Sequence, residues 1–260
     1  MNVLIPLVVT LPLLGAAVAL VLGRHRRAQI LVNIVTLSAV LVISSVLLVL
    51  VLTGDDGGSA VYVGGWEPPW GIVLVVDPLA ALMLVITSIT LLGVLLFSVG
   101  QGLVDGNRET PVTIFHPTYL ILSAGILNAF VAGDLFNLYV GFEILLAASY
   151  VLITLGGTAP RIRAGTTYVV VSLVSSVFFL SAIGLLYGAT GTVNMAQLSI
   201  RIAELPPTSS SCCTWCCCWA SVSRRPCSRC RSGCPTPTPR PPRRSPRCSR
   251  ACSPRSASTR

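Results

Sequence analysis

Along residues 1–190 the chain alternates between long apolar runs and short polar gaps. The runs are Met1–Gly23, Ile30–Thr53, Pro78–Gly100, Ile114–Ala132, Asp134–Leu155 and Ala164–Tyr187. Each has about the twenty residues that a helix needs to cross a bilayer core of about 30 Å. The pattern predicts six membrane-spanning helices. The first run ends in Arg24-His25-Arg26-Arg27. A signal peptide carries its positive charge before the apolar stretch, so this run is read as a span. The longest gap, Gly54 to Asp77, is punctuated by Gly and Pro. Its two short apolar runs, Ala60–Val63 and Gly71–Val76, can pair as a small hairpin. Trp66 and Trp70 in that gap suit a membrane–water interface. Pro78 is tolerated in a first helical turn. Gly125, Ala129 and Gly133 recur every four residues and permit close helix contact.

Composition supports this class. The chain is 53% hydrophobic and 10% charged, against about a quarter charged in soluble domains. Arginine sets the expected orientation. The gaps after the first, third and fifth spans hold Arg24, Arg26, Arg27, Arg108, Arg161 and Arg163, and the other side holds Arg201. The positive-inside rule then places the N-terminus and the Trp-bearing loop outside a multi-pass plasma-membrane protein.

Beyond Pro207 the chain changes character. Residues 1–205 carry seven Arg and nine acidic residues, a net of −2, whereas residues 206–260 carry eleven Arg, no acid and all ten Cys. Residues 208–260 use nine residue types, and Val222 is their single branched aliphatic. Such a segment is expected to be a disordered tail. Cys227-x-x-Cys230 lacks the second pair and the histidine that a zinc site would need. The composition is what a GC-rich gene yields out of register. In a shifted frame Ser209–Trp219 can restore to a mainly Leu/Val seventh span. The rest can restore to a string with lysines at the Ser223/Arg224 and Pro254/Arg255 junctions. The tail is therefore read as out-of-frame translation.

One charge lies inside a span. Glu143 sits near the middle of Gly133–Gly157, where a carboxylate costs on the order of 3 kcal/mol on insertion scales. Such a residue normally faces a partner or a hydrated cavity, so Glu143 is expected to lie inside the bundle and to hold or pass a proton. Tyr139 and Tyr150, at i−4 and i+7, share its helical face. Asp134 opens the same span, where the helix dipole favours a carboxylate; it is read first as a cap and second as an ion-access residue. Asp77 is read as a cap at the third span. His116 opens the fourth span and is a titratable imidazole near the surface. Tyr168, Ser172, Ser175 and Ser176 form a polar stripe on the sixth span that can line a hydrated path.

The stretch from Phe115-His116-Pro117 to Gly157 resembles the D subunits of the multi-subunit Mrp-type Na⁺/H⁺ antiporters. Gly133-Asp134-Leu135-Phe136-Asn137-Leu138-Tyr139-Val140, Phe142-Glu143 and Ala148-Ser149-Tyr150-Val151-Leu152 carry the resemblance. The wider family includes the antiporter-like membrane subunits of respiratory complex I and of membrane hydrogenases. The resemblance implies a proton path built from two inverted five-helix repeats. It also implies a glutamate on the fifth helix, matched by Glu143, paired with a lysine on the seventh, and a second lysine on the eighth. The chain contains no lysine.

These readings converge on an all-α polytopic membrane helix bundle. Residues 1–205 form the N-terminal half of an antiporter-like domain and residues 206–260 an Arg/Pro/Cys-rich tail. The expected function is proton exchange for a monovalent cation, Na⁺, within a hetero-oligomeric complex, with this chain inactive by itself. A proton-pumping respiratory subunit and a non-transporting remnant are the alternatives. No cofactor or metal site is expected. The Arg-rich tail begins on the outer side, which argues against nucleic acid as a partner.

Overall fold

A backbone in hydrocarbon must satisfy its own hydrogen bonds, and a helix does so within one segment. Each apolar run therefore forms a helix. The computed structural model describes residues 3–23, 25–54, 58–66, 71–101, 112–155, 157 and 159–204. Six helices are long and apolar enough to cross a membrane: α1 (Leu4–Val21), α2 (Arg26–Thr53), α3 (Pro78–Gly100), α4 (Val112–Val131), α5 (Leu135–Thr154) and α6 (Ala159–Thr190). All six expected spans are present, with α6 extending a few residues past the apolar run at both ends. The tail, Arg108 and Trp70 lie outside the described residues.

α4 is the central post. It packs against α1, α2, α3 and α5. In its spanning window 61% of residues are buried, against 17–33% in the other five. Gly125 lets α5 come close: a Cβ there would lie 2.9 Å from the Leu145 backbone nitrogen. Ile5, Val8, Val40, Leu47, Leu84 and Leu127 form one apolar cluster of α1–α4, and Ala16, Leu37, Leu91, Leu95 and Leu120 another. α5 continues to α6, which packs along one side of it.

The expected hairpin forms between α2 and α3. Strands β1 (Ser59–Tyr62) and β2 (Val73–Val76) run antiparallel, with Ser59 opposite Val76 and Tyr62 opposite Val73. A turn at Val63–Gly65 follows β1, with φ of 73° at Gly64 and 75° at Gly65, a conformation glycine adopts without steric cost. β2 is buried and docks on the α4–α5 junction. The Gly133 N–H donates to the Val73 carbonyl at 2.9 Å, and Leu74 bridges Ala132. Gly133 thus serves the hairpin rather than a helix pair: a Cβ there would meet the Val73 carbonyl at 2.8 Å.

The hydropathy pattern did not reveal α7 (Met195–Glu204). The Asn194 side chain starts it, its Oδ1 accepting the Ala196 N–H at 3.0 Å and the Gln197 N–H at 3.3 Å. Arg201 reaches back to the last residue of α6, donating to the Thr190 carbonyl at 2.5 Å, where the helix dipole favours a cation.

Candidate functional site

Glu143 lies in the groove between α5 and α6. It is half-buried rather than fully enclosed, and the Ser176 hydroxyl of α6 donates to its Oε1. Both residues line a cavity of about 130 Å³ with Tyr150, Tyr168 and Ser172. Helical periodicity produces this lining. On α5, Glu143, Leu146, Ala147 and Tyr150 fall at i, i+3, i+4 and i+7; on α6, Tyr168, Ser172 and Ser176 are four apart. The Tyr168 hydroxyl meets the Ser149 hydroxyl at 2.9 Å, which ties the two helices together beside Tyr150.

The residues proposed from sequence therefore separate into groups. Tyr150 and Ser172 share the cavity with Glu143. Ser175 is buried but is not among the residues that line it. Tyr139 packs instead with Phe136, at a centroid distance of 6.3 Å, and with Phe179 at 6.1 Å. Phe179 also meets Phe142 at 6.4 Å. These ring contacts join α5 to α6 next to Glu143.

A second cavity, of about 430 Å³, is lined by Asp134, Phe136, Asn137, Leu180, Ile183 and Tyr187 among others. Asp134 occupies the N-cap position of α5, yet its side chain makes no cap hydrogen bond. Its Oδ2 instead accepts the Val73 N–H of β2 at 2.7 Å. The backbone reason is that Gly133 and Leu135 on either side bond to Val73 and Val193, which turns the carboxylate to the hairpin. Asp77 likewise makes no side-chain cap bond. Burial is the larger influence on Asp134 and raises its carboxyl pKa; hydrogen bonds from Val73 and Asn194 oppose the rise.

His116 departs furthest from its expected place. It is fully buried rather than solvated at the surface. Its Nδ1 lies 3.2 Å from Asn33 Nδ2 of α2. Asn33, Asn128 and Asn137 are polar groups that sequence reasoning passed over. The Asn128 amide donates to Asn137 Oδ1 at 3.2 Å, joining α4 to α5 between the hairpin junction and Glu143. Amides interrupting apolar runs were the available signal, because a bilayer span disfavours them without partners.

Residues 132–216, which include Asp134, Glu143 and Ser176, match the family model of the NADH:quinone oxidoreductase/Mrp antiporter transmembrane region. The chain is 36% identical over 208 residues to the D subunit of the Na⁺/H⁺ antiporter of Alkalihalophilus pseudofirmus, an alignment covering 80% of this chain and 41% of that protein. Among solved structures it superposes on an archaeal respiratory membrane complex, the membrane-bound sulfane sulfur reductase. The TM-score there is 0.76 at 28% identity, over 85% of this chain and 44% of the other. On the Mrp complex from Dietzia sp. the TM-score is 0.72 at 29% identity, over 85% of this chain and 40% of the other. The chain thus spans about two fifths of the relatives it matches. Residues 132–216 thus carry the NADH:quinone oxidoreductase/Mrp antiporter transmembrane region, and the chain is similar in sequence and in fold to the membrane subunits that share it.

Proposed function

We propose that this chain supplies the N-terminal part of an antiporter subunit that exchanges protons for a monovalent cation, Na⁺, in a hetero-oligomeric complex of the cell membrane. Glu143 is the proton-holding residue. The observation that carries this reading is the mid-span carboxylate bonded to Ser176 at the wall of a small cavity between two spans. The hydroxyl holds the carboxylate at the cavity wall, and the cavity gives water a place to deliver or take the proton. Tyr150 and Ser172 extend the polar wall toward the end of α5 where Arg161 and Arg163 begin α6. The positive-inside rule makes that end cytoplasmic and puts the N-terminus and hairpin outside. Asp134 is primarily a hairpin anchor, and Tyr139 and Ser175 are packing residues at the edge of the path. Residues 1–205 are the transport half-domain, and residues 206–260 are the product of a shifted reading frame.

The decisive measurement is Na⁺-driven pH change in inverted vesicles that lack endogenous antiporters, with the partner subunits and a frame-corrected chain present. Exchange is expected, and Glu143→Gln is expected to abolish it with the complex still assembled. Exchange that survives Glu143→Gln would refute the assignment. A second reading has a specific support: the superposition on a respiratory membrane complex is as good as that on the Mrp complex. On that reading the same glutamate serves a proton pump driven by electron transfer in other subunits. Vesicles that move protons on addition of a respiratory electron donor, but not of Na⁺, would establish it.

A further inference from the structure

A second polar site lies away from the α5–α6 groove, where α2 meets the first turns of α4. Asn33 and His116 are both fully buried. Asn33 Nδ2 and His116 Nδ1 are 3.2 Å apart. The other polar atom of each side chain, Asn33 Oδ1 and His116 Nε2, has no hydrogen-bond partner among the described residues. Nearby polar groups are already engaged. Gln29, one turn earlier on α2, donates to the Ala19 carbonyl at 2.9 Å. The Tyr119 hydroxyl donates to the Leu91 carbonyl at 2.7 Å. The Thr118 hydroxyl donates to the Ile114 carbonyl at 2.7 Å. The Phe115 ring stands edge-on to the imidazole at 5.4 Å.

The chemistry of the two free atoms identifies the ligand. If the Asn33 amide donates to Nδ1, the neutral ring carries its proton on Nε2, leaving one donor on the ring and one acceptor on the amide. If the amide is turned over, Nδ1–H donates to Oδ1, leaving an acceptor on the ring and a donor on the amide. Either arrangement presents one donor and one acceptor. A metal or alkali cation wants acceptors alone, and an anion wants donors alone. Water offers both. Buried waters typically serve such otherwise unpaired groups.

We infer that Asn33 and His116 form a binding site for a single water molecule at the α2–α4 contact, through which the His116 ring exchanges protons with solvent. Arg26, seven positions before Asn33 and on the same face of α2, is exposed. The inference extends the proton-handling role proposed above to a second region of the bundle, and its test does not depend on transport.

The test is deuterium exchange at the imidazole Cε1–H, read by mass spectrometry on the purified full chain at a pD where imidazoles are neutral. This exchange requires both water and a transient ring proton. The chain has two histidines, and His25 is exposed, so it serves as the internal standard. His116 is expected to exchange on the same timescale as His25 despite its burial. Asn33→Leu is expected to slow His116 by about tenfold or more, the population change that losing one buried hydrogen bond carries, with His25 unchanged. Asn33→Ser, which keeps a donor and an acceptor, is expected to restore much of the rate. A wild-type His116 that fails to exchange while His25 does would overturn the inference without recourse to any variant. So would a folded Asn33→Leu chain in which His116 exchanges as fast as before.

Discussion

Glu143 and Asp134 lie nine positions apart at the middle and start of one helix, yet the fold gives them different work. Glu143 shares a hydrogen bond with Ser176 across two helices. Removing that hydroxyl leaves a half-buried carboxylate with one donor fewer, a loss of about 1–2 kcal/mol. Ser176→Ala is therefore expected to lower exchange by roughly tenfold in the assembled complex, measured as the initial rate of Na⁺-driven pH change, while Ser175→Ala leaves it near wild type. Asp134 bonds to the hairpin backbone. Its carboxyl pKa is raised by burial above the ordinary 3.8, so the folded state favours the protonated form. The stabilising contribution of this group is complete below the unfolded value and is lost as pH rises through the folded one. Asp134→Asn keeps an acceptor for the Val73 N–H but cannot ionise. Its unfolding midpoint should fall less than that of wild type as pH is raised from about 4 toward neutrality. Asp134→Ala strands the Val73 N–H and should cost about 1–3 kcal/mol at any pH. Thermal unfolding in detergent across a pH series distinguishes the three chains. Glu143 was legible in the sequence because a mid-span acid is costly wherever it points. The hairpin anchor was not, because Asp134 meets Val73 through a contact 61 residues away in the chain.

Among the elements, α4 determines how closely the bundle packs. The approach of α5 at Gly125 leaves no room for a side chain: its Cβ would sit 2.9 Å from Leu145 N and 3.0 Å from the Gly141 carbonyl oxygen. Those are backbone atoms, which cannot rotate away. Gly125→Val is expected to destabilise the bundle by about 1–3 kcal/mol, the usual cost of overpacking, and to lower the temperature of heat-induced aggregation in detergent. Gly93→Val on α3 is the control, since a Cβ there meets nothing within 4 Å. The six spans and the hairpin were readable from apolar run length and from β-branched pairs between glycines. The use of Gly133 was misjudged, because its spacing continues a helical stripe while its contact is with a strand. α7 was missed for another reason: ten residues fall well short of a span. Its start signal was present in Asn194, whose side chain caps the first turn. His116 was misplaced because its position four residues into α4 looks interfacial, whereas its burial comes from packing that involves α2, distant in sequence.

At the scale of the whole molecule, one carboxylate near the middle of the described spans has to be reconciled with proton exchange. A midplane acid is costly when charged. A lysine ammonium a few ångströms away would contribute several kcal/mol of attraction at low effective dielectric, the kind of partner a midplane acid calls for. The sequence as written contains no lysine, whereas the shifted frame proposed for the tail can encode two. We therefore expect the two forms of the chain to differ sharply. Expressed with its partner subunits, the frame-corrected chain should exchange Na⁺ for protons, and the chain as written should not. Replacing both restored lysines with methionine should return the corrected chain to inactivity while leaving its helices and assembly intact, because methionine keeps the apolar length and removes only the charge. The readout is again the pH change in inverted vesicles, paired with co-purification of the partner subunits to confirm assembly. Equal exchange by both chains would sink the reading of residues 206–260 as out of frame. Exchange that survives the double methionine variant would instead sink the requirement for a cation beside Glu143.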